Sequence, residues 1–384
     1  MSKADSKPHE LRDAHQKAFF DAGDLAAALD LDASGPLRLD WLRFQIANEY
    51  FFPQLAHGQS RQQYRDNFRH REMKKFEFSA ICDLETAGLL NLQRGRPAAG
   101  PAIYCSHHLG AWAIQPVLLL RRGVPMTIVA GPGMAQDHGG AMVEMNRQGL
   151  ERGLWQSELS VVSSDGSSAL MQMMRALREG RSLYICIDGQ RGQRGQMSSA
   201  DDDRHAVPIR FAGREILARM GAAYLAHKLG LPLVPMLSWR EADGTVSTEI
   251  GEPIPPEGER DSFARQALQQ LWSRFEAQAA HHAHQWEMGW YSYRTRAQQR
   301  RMNAFEPQRL YRFNEDRYHL YEAAQGLLLD AQTDELKRVP PVYAGWMDRL
   351  RCSREGIPGQ WLSQLFKDPH SLQQIFASEL LVAQ

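Results

Sequence analysis

From His9 to about Leu92, apolar residues recur at three- and four-residue steps, among them Trp41, Leu42, Phe44 and Ile46 and later Phe76, Ile81, Leu84 and Leu89. That spacing predicts helices. One stretch interleaves Arg61, Arg65, Arg69, Arg71, Lys74 and Lys75 with Tyr64, Phe68 and Phe76. It reads first as a solvated face packed on the core through its aromatics, and second as a basic amphipathic surface for anionic lipid or an acidic carrier protein. Arg94–Gly100, rich in Gly, Pro and Ala, is a linker, and beyond it the pattern changes. Short apolar runs at Ile103–Ser106, Met126–Ala130, Leu159–Val162 and Ser182–Ile187 alternate with helical stretches through Ile114–Leu120, Gly140–Leu150 and Ser168–Arg178. Such alternation predicts βαβ units and a mostly parallel sheet. Val207–Phe211 reads as a short extended piece, Glu215–Lys228 as a helix, and Leu233–Trp239 with Thr245–Ile250 as a pair around the Asp243-Gly244 turn. Residues 260–285 predict an amphipathic helix, and the aromatic Trp286–Tyr293 a segment that closes or edges the sheet. Past Arg296, Tyr318–Glu322 and Leu327–Leu329 predict a hairpin, and Trp346–Leu350 and Leu362–Val382 predict helices.

The fold class expected is therefore α/β: a mostly parallel central sheet flanked by helices. Its parts are an N-terminal helical cap (1–93), the α/β core (94–296) and a small α+β appendage (297–384). Composition narrows the function. With 45 Lys+Arg against 45 Asp+Glu in 384 residues, the chain carries no net charge, which argues against a nucleic-acid binder. No apolar run approaches the ~20 residues of a spanning helix. Met1–Arg12 is polar and lacks the apolar centre of a secretory signal, so the chain is expected to begin near Met1 in the cytoplasm, with at most peripheral membrane contact. Cys82, Cys105, Cys186 and Cys352 have no metal-ligand spacing and read as buried free thiols. Met171, Met173 and Met174 read as core. No metal and no cofactor is expected.

The chemistry concentrates in Ser106–Trp112, just after the first strand of the α/β region: two histidines, a glycine and a helix start. In open α/β sheets, ligands bind outside the carboxyl ends of the strands. A histidine there can take a proton from a hydroxyl or amine as it attacks an activated acyl carbon. Backbone N–H groups near Gly110 are the expected donors to the tetrahedral intermediate. A glycine-rich loop at 188–204 carries Arg191, Arg194 and Arg204, with Arg210 close behind, and guanidinium groups pair well with phosphate. Its acidic triplet Asp201–Asp203 reads as solvated.

His108-Leu-Gly-Ala-Trp112 resembles the first block of the lysophospholipid acyltransferase superfamily, in particular its lipid A late acyltransferase branch, whose block reads His-x-Gly-x-Trp-Glu. Ala176–Gly180, Ser182–Ile187 with Asp188–Gly192, Val207–Gly213 and Trp290–Arg294 resemble later blocks of that branch in the same order. The resemblance spans roughly residues 37–296 and implies an acyltransferase. His108 would be the general base, with His107 assisting or shaping the site. The donor would be a thioester of acyl carrier protein or coenzyme A, and the acceptor a lipid or other amphipathic hydroxyl or amine. Arg191, Arg194 and Arg210 would hold phosphate.

One departure stands out. The branch places Asp or Glu five positions after the histidine, to orient the ring, but Ala113 stands there after His108 and Trp112 after His107. Asp188, at the end of another strand, is the first candidate to replace the acid, ahead of Asp137 and Glu144. His282 has Glu287 at the nominal spacing, in the His281–His284 run, but lies far from the matching block. The missing acid leaves two alternatives: an aminoacyl (glycyl-type) transferase to a lipid, and a catalytically silent member that binds lipid or a carrier protein.

Overall fold

The computed structural model describes residues 3–33, 35–53, 59–164, 168–189, 205–287, 305–315, 317–322, 325–331, 333, 335–339, 356–366 and 368–383. These fall into two compact units, one up to residue 287 and the other from residue 305 onward. The first unit opens with α1 (Lys3–Ala27), α2 (Pro36–Phe51) and α3 (Ser60–Ala80), and these helices pack within the same unit as the sheet. Then follow β1 (Leu90–Arg94), β2 (Ile103–Ser106), α4 (Gln115–Leu120), β3 (Met126–Ala130), α5 (Pro132–Glu151), β4 (Leu159–Ser163), α6 (Ala169–Arg178) and β5 (Ser182–Cys186). It continues through β6 (Ala206–Phe211), β7 (Arg214–Arg219), α7 (Gly221–Leu229), β8 (Leu233–Arg240), β9 (Val246–Ile250) and α8 (Arg260–His282).

Seven strands form one sheet in the order β1-β9-β8-β2-β5-β3-β4. The joints β1-β9, β8-β2, β2-β5, β5-β3 and β3-β4 are parallel, and the β8-β9 hairpin is antiparallel. Every residue of β2 and β8 is buried, which requires cover on both faces of the sheet. The expected α/β class with a mostly parallel sheet is the fold observed. Local signals set the helix ends. The Glu259 side chain accepts from the Asp261 and Ser262 backbone N–H groups to start α8, and Gly230, at φ 66°, closes α7.

Three sequence readings need correction here. Leu90–Arg94, taken as the tail of the helical region, is an edge strand paired to β9. Residues 214–219, read as part of a helix, form β7, antiparallel to β6 through a two-residue turn at Ala212 and Gly213. Both turn residues have positive φ, 50° and 70°, the geometry of a type I′ hairpin, but alanine is an unusual residue to signal it. Met174 is buried as expected, whereas Met171 is 63% exposed. The α3 cations serve the fold's interior more than a free surface: Arg69 stacks on Phe19 and donates to its carbonyl, Arg65 donates to the Leu29 carbonyl, and Arg61 pairs with Asp32. Cys82 and Cys105 are buried free thiols, Cys186 is half-buried, and Cys352 lies outside the described residues.

The second unit has β10 (Leu310–Phe313), β11 (Tyr318–Glu322), β12 (Leu327–Asp330), β13 (Glu335–Arg338), β14 (Ile357–Pro358), α9 (Gly359–Leu365), α10 (Pro369–Ala377) and β15 (Leu381–Ala383). The expected hairpin is β11-β12, extended by β13, while the region read as one helical run from Leu362 to Val382 ends in a strand beside β10. Tyr311, Phe313, Leu328, Leu362 and Phe376 give this unit its own core. Trp346–Leu350 lies outside the described residues. Among the described residues, no helix is long and apolar enough to cross a membrane.

Candidate active site

Strands β2 and β5 are parallel neighbours, with Ser106 in register with Cys186. His108 and Asp188 each follow their strand's last residue by two positions, so the register that pairs the strands brings these side chains to the same sheet edge. They meet there. His108 Nδ1 lies 2.7 Å from Asp188 Oδ1, and the backbone N–H of His108 donates to Oδ2 at 2.9 Å. The indole N–H of Trp286 donates to the same Oδ2 at 2.8 Å. The carboxylate is 0% exposed and the imidazole 15%.

Burial alone would push the Asp188 carboxyl up, but the charge and hydrogen bond of His108, the nearby His107 and the Trp286 N–H outweigh it and hold it at about 2. An ionised carboxylate only accepts, so His108 Nδ1 carries the hydrogen and Nε2 keeps its lone pair. The arrangement is that of a positioned general base. Trp112 packs edge-on to the His108 ring at 4.4 Å, and a Cβ added to Gly189 would stand 3.4 Å from His108 Cε1, so the ring is held on two sides. The indole nitrogen of Trp112 is buried and has no hydrogen-bond partner among the described residues. Burial, then the charge of Asp188, raises the Cys186 thiol well above its ordinary range, which disfavours a thiolate nucleophile beside the dyad.

His107 points elsewhere. Its ring stacks on Phe275 of α8 at 4.0 Å and 6°, with Trp272 edge-on at 4.9 Å, and neither ring nitrogen has a partner among the described residues. Burial lowers it to about 4, so it is neutral at neutral pH and is placed to fill space, not to carry a proton. Gly110 serves packing as well. At φ 56° its absent Cβ would stand 2.7 Å from the Ser238 carbonyl oxygen and 2.7 Å from Trp239 Cα, so this loop can lie on β8 only with glycine. Its N–H donates to the Gln285 carbonyl at 3.1 Å, and that of Leu109 to the His107 carbonyl at 2.7 Å. The expected backbone donors near Gly110 are therefore already engaged.

Of the phosphate-binding arginines, Arg191 and Arg194 lie outside the described residues, as does Arg204. Arg210 is exposed on β6, where its backbone exchanges hydrogen bonds with the Gln269 side chain of α8. Glu144 pairs with Arg147 on the α5 surface, which holds its carboxyl down at about 2. The Asp137 side chain lies outside the described residues. The His282–Glu287 spacing does not produce a dyad: His282 stacks on Trp239, and Glu287 pairs with Lys74 of α3 at 2.7 Å. Sequence reasoning missed Lys74, Glu287 and Trp286 as neighbours of His108. An indole N–H in a buried aromatic run, which needs an acceptor, was the available signal for Trp286.

The frame around the dyad is heavily tied. Glu77 of α3 and Arg240 of β8, 1% and 0% exposed, form a two-pronged ion pair at 2.7 Å on each prong. Asn67 of α3 donates to the His284 carbonyl at 2.8 Å and faces that of Trp286 at 3.4 Å. The Gln285 side chain brackets Arg240, accepting from its N–H at 2.7 Å and donating to its carbonyl at 2.8 Å. Next to Trp286 is an apolar cavity of about 200 Å³, lined also by Phe44, Ala47, Asn48, Phe51, Phe52 and Ala283.

Among known proteins, no curated sequence matches the chain. A similar solved structure is the crystal structure of the 1-acyl-sn-glycerophosphate (LPA) acyltransferase PlsC from Thermotoga maritima, at 16% identity and a TM-score of 0.31 over 63% of this chain and 95% of that one. The profile of the family described as bacterial lipid A biosynthesis acyltransferase matches residues 68–290. That span is more than half of the chain and contains His108, Asp188 and Trp286. The chain belongs to the bacterial lipid A biosynthesis acyltransferase family, and it is an enzyme that transfers acyl groups.

Proposed function

We propose that this enzyme moves a fatty acyl group from the thioester of acyl carrier protein or coenzyme A to a hydroxyl or amine of a lipid or other amphipathic acceptor, with His108 as general base and Asp188 as the acid that orients it. The observation that carries this reading is the 2.7 Å contact between the two side chains at the carboxyl ends of adjacent parallel strands. His108 Nε2 takes the acceptor's proton as its oxygen or nitrogen attacks the thioester carbonyl. The C–S bond then breaks, and the same proton passes to the departing thiolate. Asp188 keeps Nε2 as the base and stabilises the imidazolium that forms, as the third member of a hydrolase triad does.

The unpartnered indole N–H of Trp112, against the His108 ring, is the donor available to the developing oxyanion once the Gly110 amide is spent. The cavity beside Trp286 offers apolar surface for the chain of the transferred group. Arg191, Arg194 and Arg210 remain the groups for a phosphate of the donor or the lipid. The silent-binder reading was motivated by a histidine without an acid, and the contact with Asp188 removes that motive.

The test is transfer of radiolabelled acyl groups from acyl carrier protein and from coenzyme A to a pooled lipid extract, with a glycyl donor as a third arm. Turnover from a fatty acyl thioester that disappears in His108→Ala is the expected result. Turnover only from the glycyl donor would replace the fatty acyl assignment, and turnover indifferent to His108→Ala would overturn the site.

A further inference from the structure

Beside the dyad stands an ion pair that proton transfer does not use. Lys74 of α3 and Glu287 meet at 2.7 Å with side chains 24% and 14% exposed. The Glu287 backbone N–H donates to the His108 carbonyl at 2.9 Å. Lys74 Nζ lies 5.6 Å from the centroid of the Trp112 ring, which packs on His108. Both charges thus flank the general base.

The pair is not what fastens α3 to the chain after α8. Asn67, 0% exposed, already bonds the His284 carbonyl, and the buried Glu77–Arg240 pair ties the same helix to β8. Of these three contacts, Lys74–Glu287 is the one that solvent reaches.

We propose that Lys74 and Glu287 are the acceptor subsite, and that they select a zwitterionic head group, with Glu287 taking an ammonium and Lys74 a carboxylate or phosphate. The inference rests on the acyl transfer reading above. Its physical basis is charge balance. A zwitterion exchanges one ion pair for two and leaves no charge uncompensated in a half-buried site. A head group with only an anion leaves Glu287 without a cation, and one with only a cation leaves Lys74 without an anion, each a costly desolvated charge. The subsite therefore selects through what it rejects.

Binding is measured by calorimetry on His108→Ala, which holds the subsite intact without turnover, using S-octylcysteine, its methyl ester, its N-acetyl derivative and octylphosphoethanolamine. S-octylcysteine and octylphosphoethanolamine should each bind at least about tenfold more tightly than the two single-charge analogues. Whichever of them binds more tightly identifies the anion. Equal binding of all four would overturn the proposal whether or not the wild-type protein transfers acyl groups, so its failure is separable from failure of the dyad. The second arm is the swap Lys74→Glu with Glu287→Lys, which can remake the ion pair with its poles reversed. The expected result is a melting temperature near that of the parent, with the preferred zwitterion's KM in transfer raised about tenfold or more. A swap that restores both melting temperature and KM would show that the pair only holds the fold together.

Discussion

Two places in this chain join a histidine to a carboxylate in prospect. At the end of α8, His282 and Glu287 are five residues apart, the spacing that the family uses within one block. At the ends of β2 and β5, His108 and Asp188 are 80 residues apart. The near pair does not meet and the distant pair does. What separates them is the backbone each stands on. Parallel strands in register deliver equivalent positions to the same edge, so a carboxylate two residues past β5 reaches a histidine two residues past β2. The end of α8 has no such constraint, and its side chains turn to separate neighbours. An acid lost from its usual place beside a histidine is therefore best sought on the adjacent parallel strand.

Several measurements would break or sharpen this contrast. Asp188→Asn keeps the shape of the dyad but offers Nδ1 the wrong partner. It should lower kcat by about 10³–10⁴-fold, the range of the serine-protease example, while Glu287→Gln leaves kcat within about tenfold. Rate losses of equal size would erase the distinction. Next in size is the frame. Glu77→Ala leaves the buried Arg240 guanidinium without its partner and should destabilise the protein by about 3–5 kcal/mol in chemical denaturation. A loss under about 1 kcal/mol would mean that solvent reaches Arg240.

Stability should also depend on pH through the buried neutral histidines. Burial lowers His107 to about 4 and lowers His70 well below its ordinary value. As pH falls below about 6.5, unfolded chains take up these protons first, so stability present above that pH is lost progressively until the folded His107 titrates near 4. A melting temperature flat between those limits would contradict the burial. The smallest effect is expected at His107→Phe, which replaces an imidazole with no hydrogen-bond partner by a ring that can stack on Phe275. It should change stability by less than about 1.5 kcal/mol, keep kcat, and flatten part of the acid dependence. A large fall in kcat would return His107 to the chemistry.

Much of the fold was legible because buried parallel strands write themselves as short continuous apolar runs, as at Ile103–Ser106 and Ser182–Ile187. The readings that failed lie where that signal is weak. Leu90–Arg94 is an edge strand, and Arg214–Arg219 is built of residues that favour helices until a turn at Ala212-Gly213 folds it back. At the site, strand-end logic reached His108 and Asp188. It could not reach Lys74 or Glu287, because their meeting depends on how α3 packs against the chain after α8, which no local pattern encodes.

The most direct test of the central claim is a double-mutant cycle of acyl transfer with wild type, His108→Ala, Asp188→Asn and the double variant. If Asp188 acts through His108, the asparagine costs a large factor in the wild-type background and almost nothing once the histidine is gone. Equal losses in both backgrounds would show that Asp188 acts independently and that the two residues are not a catalytic dyad.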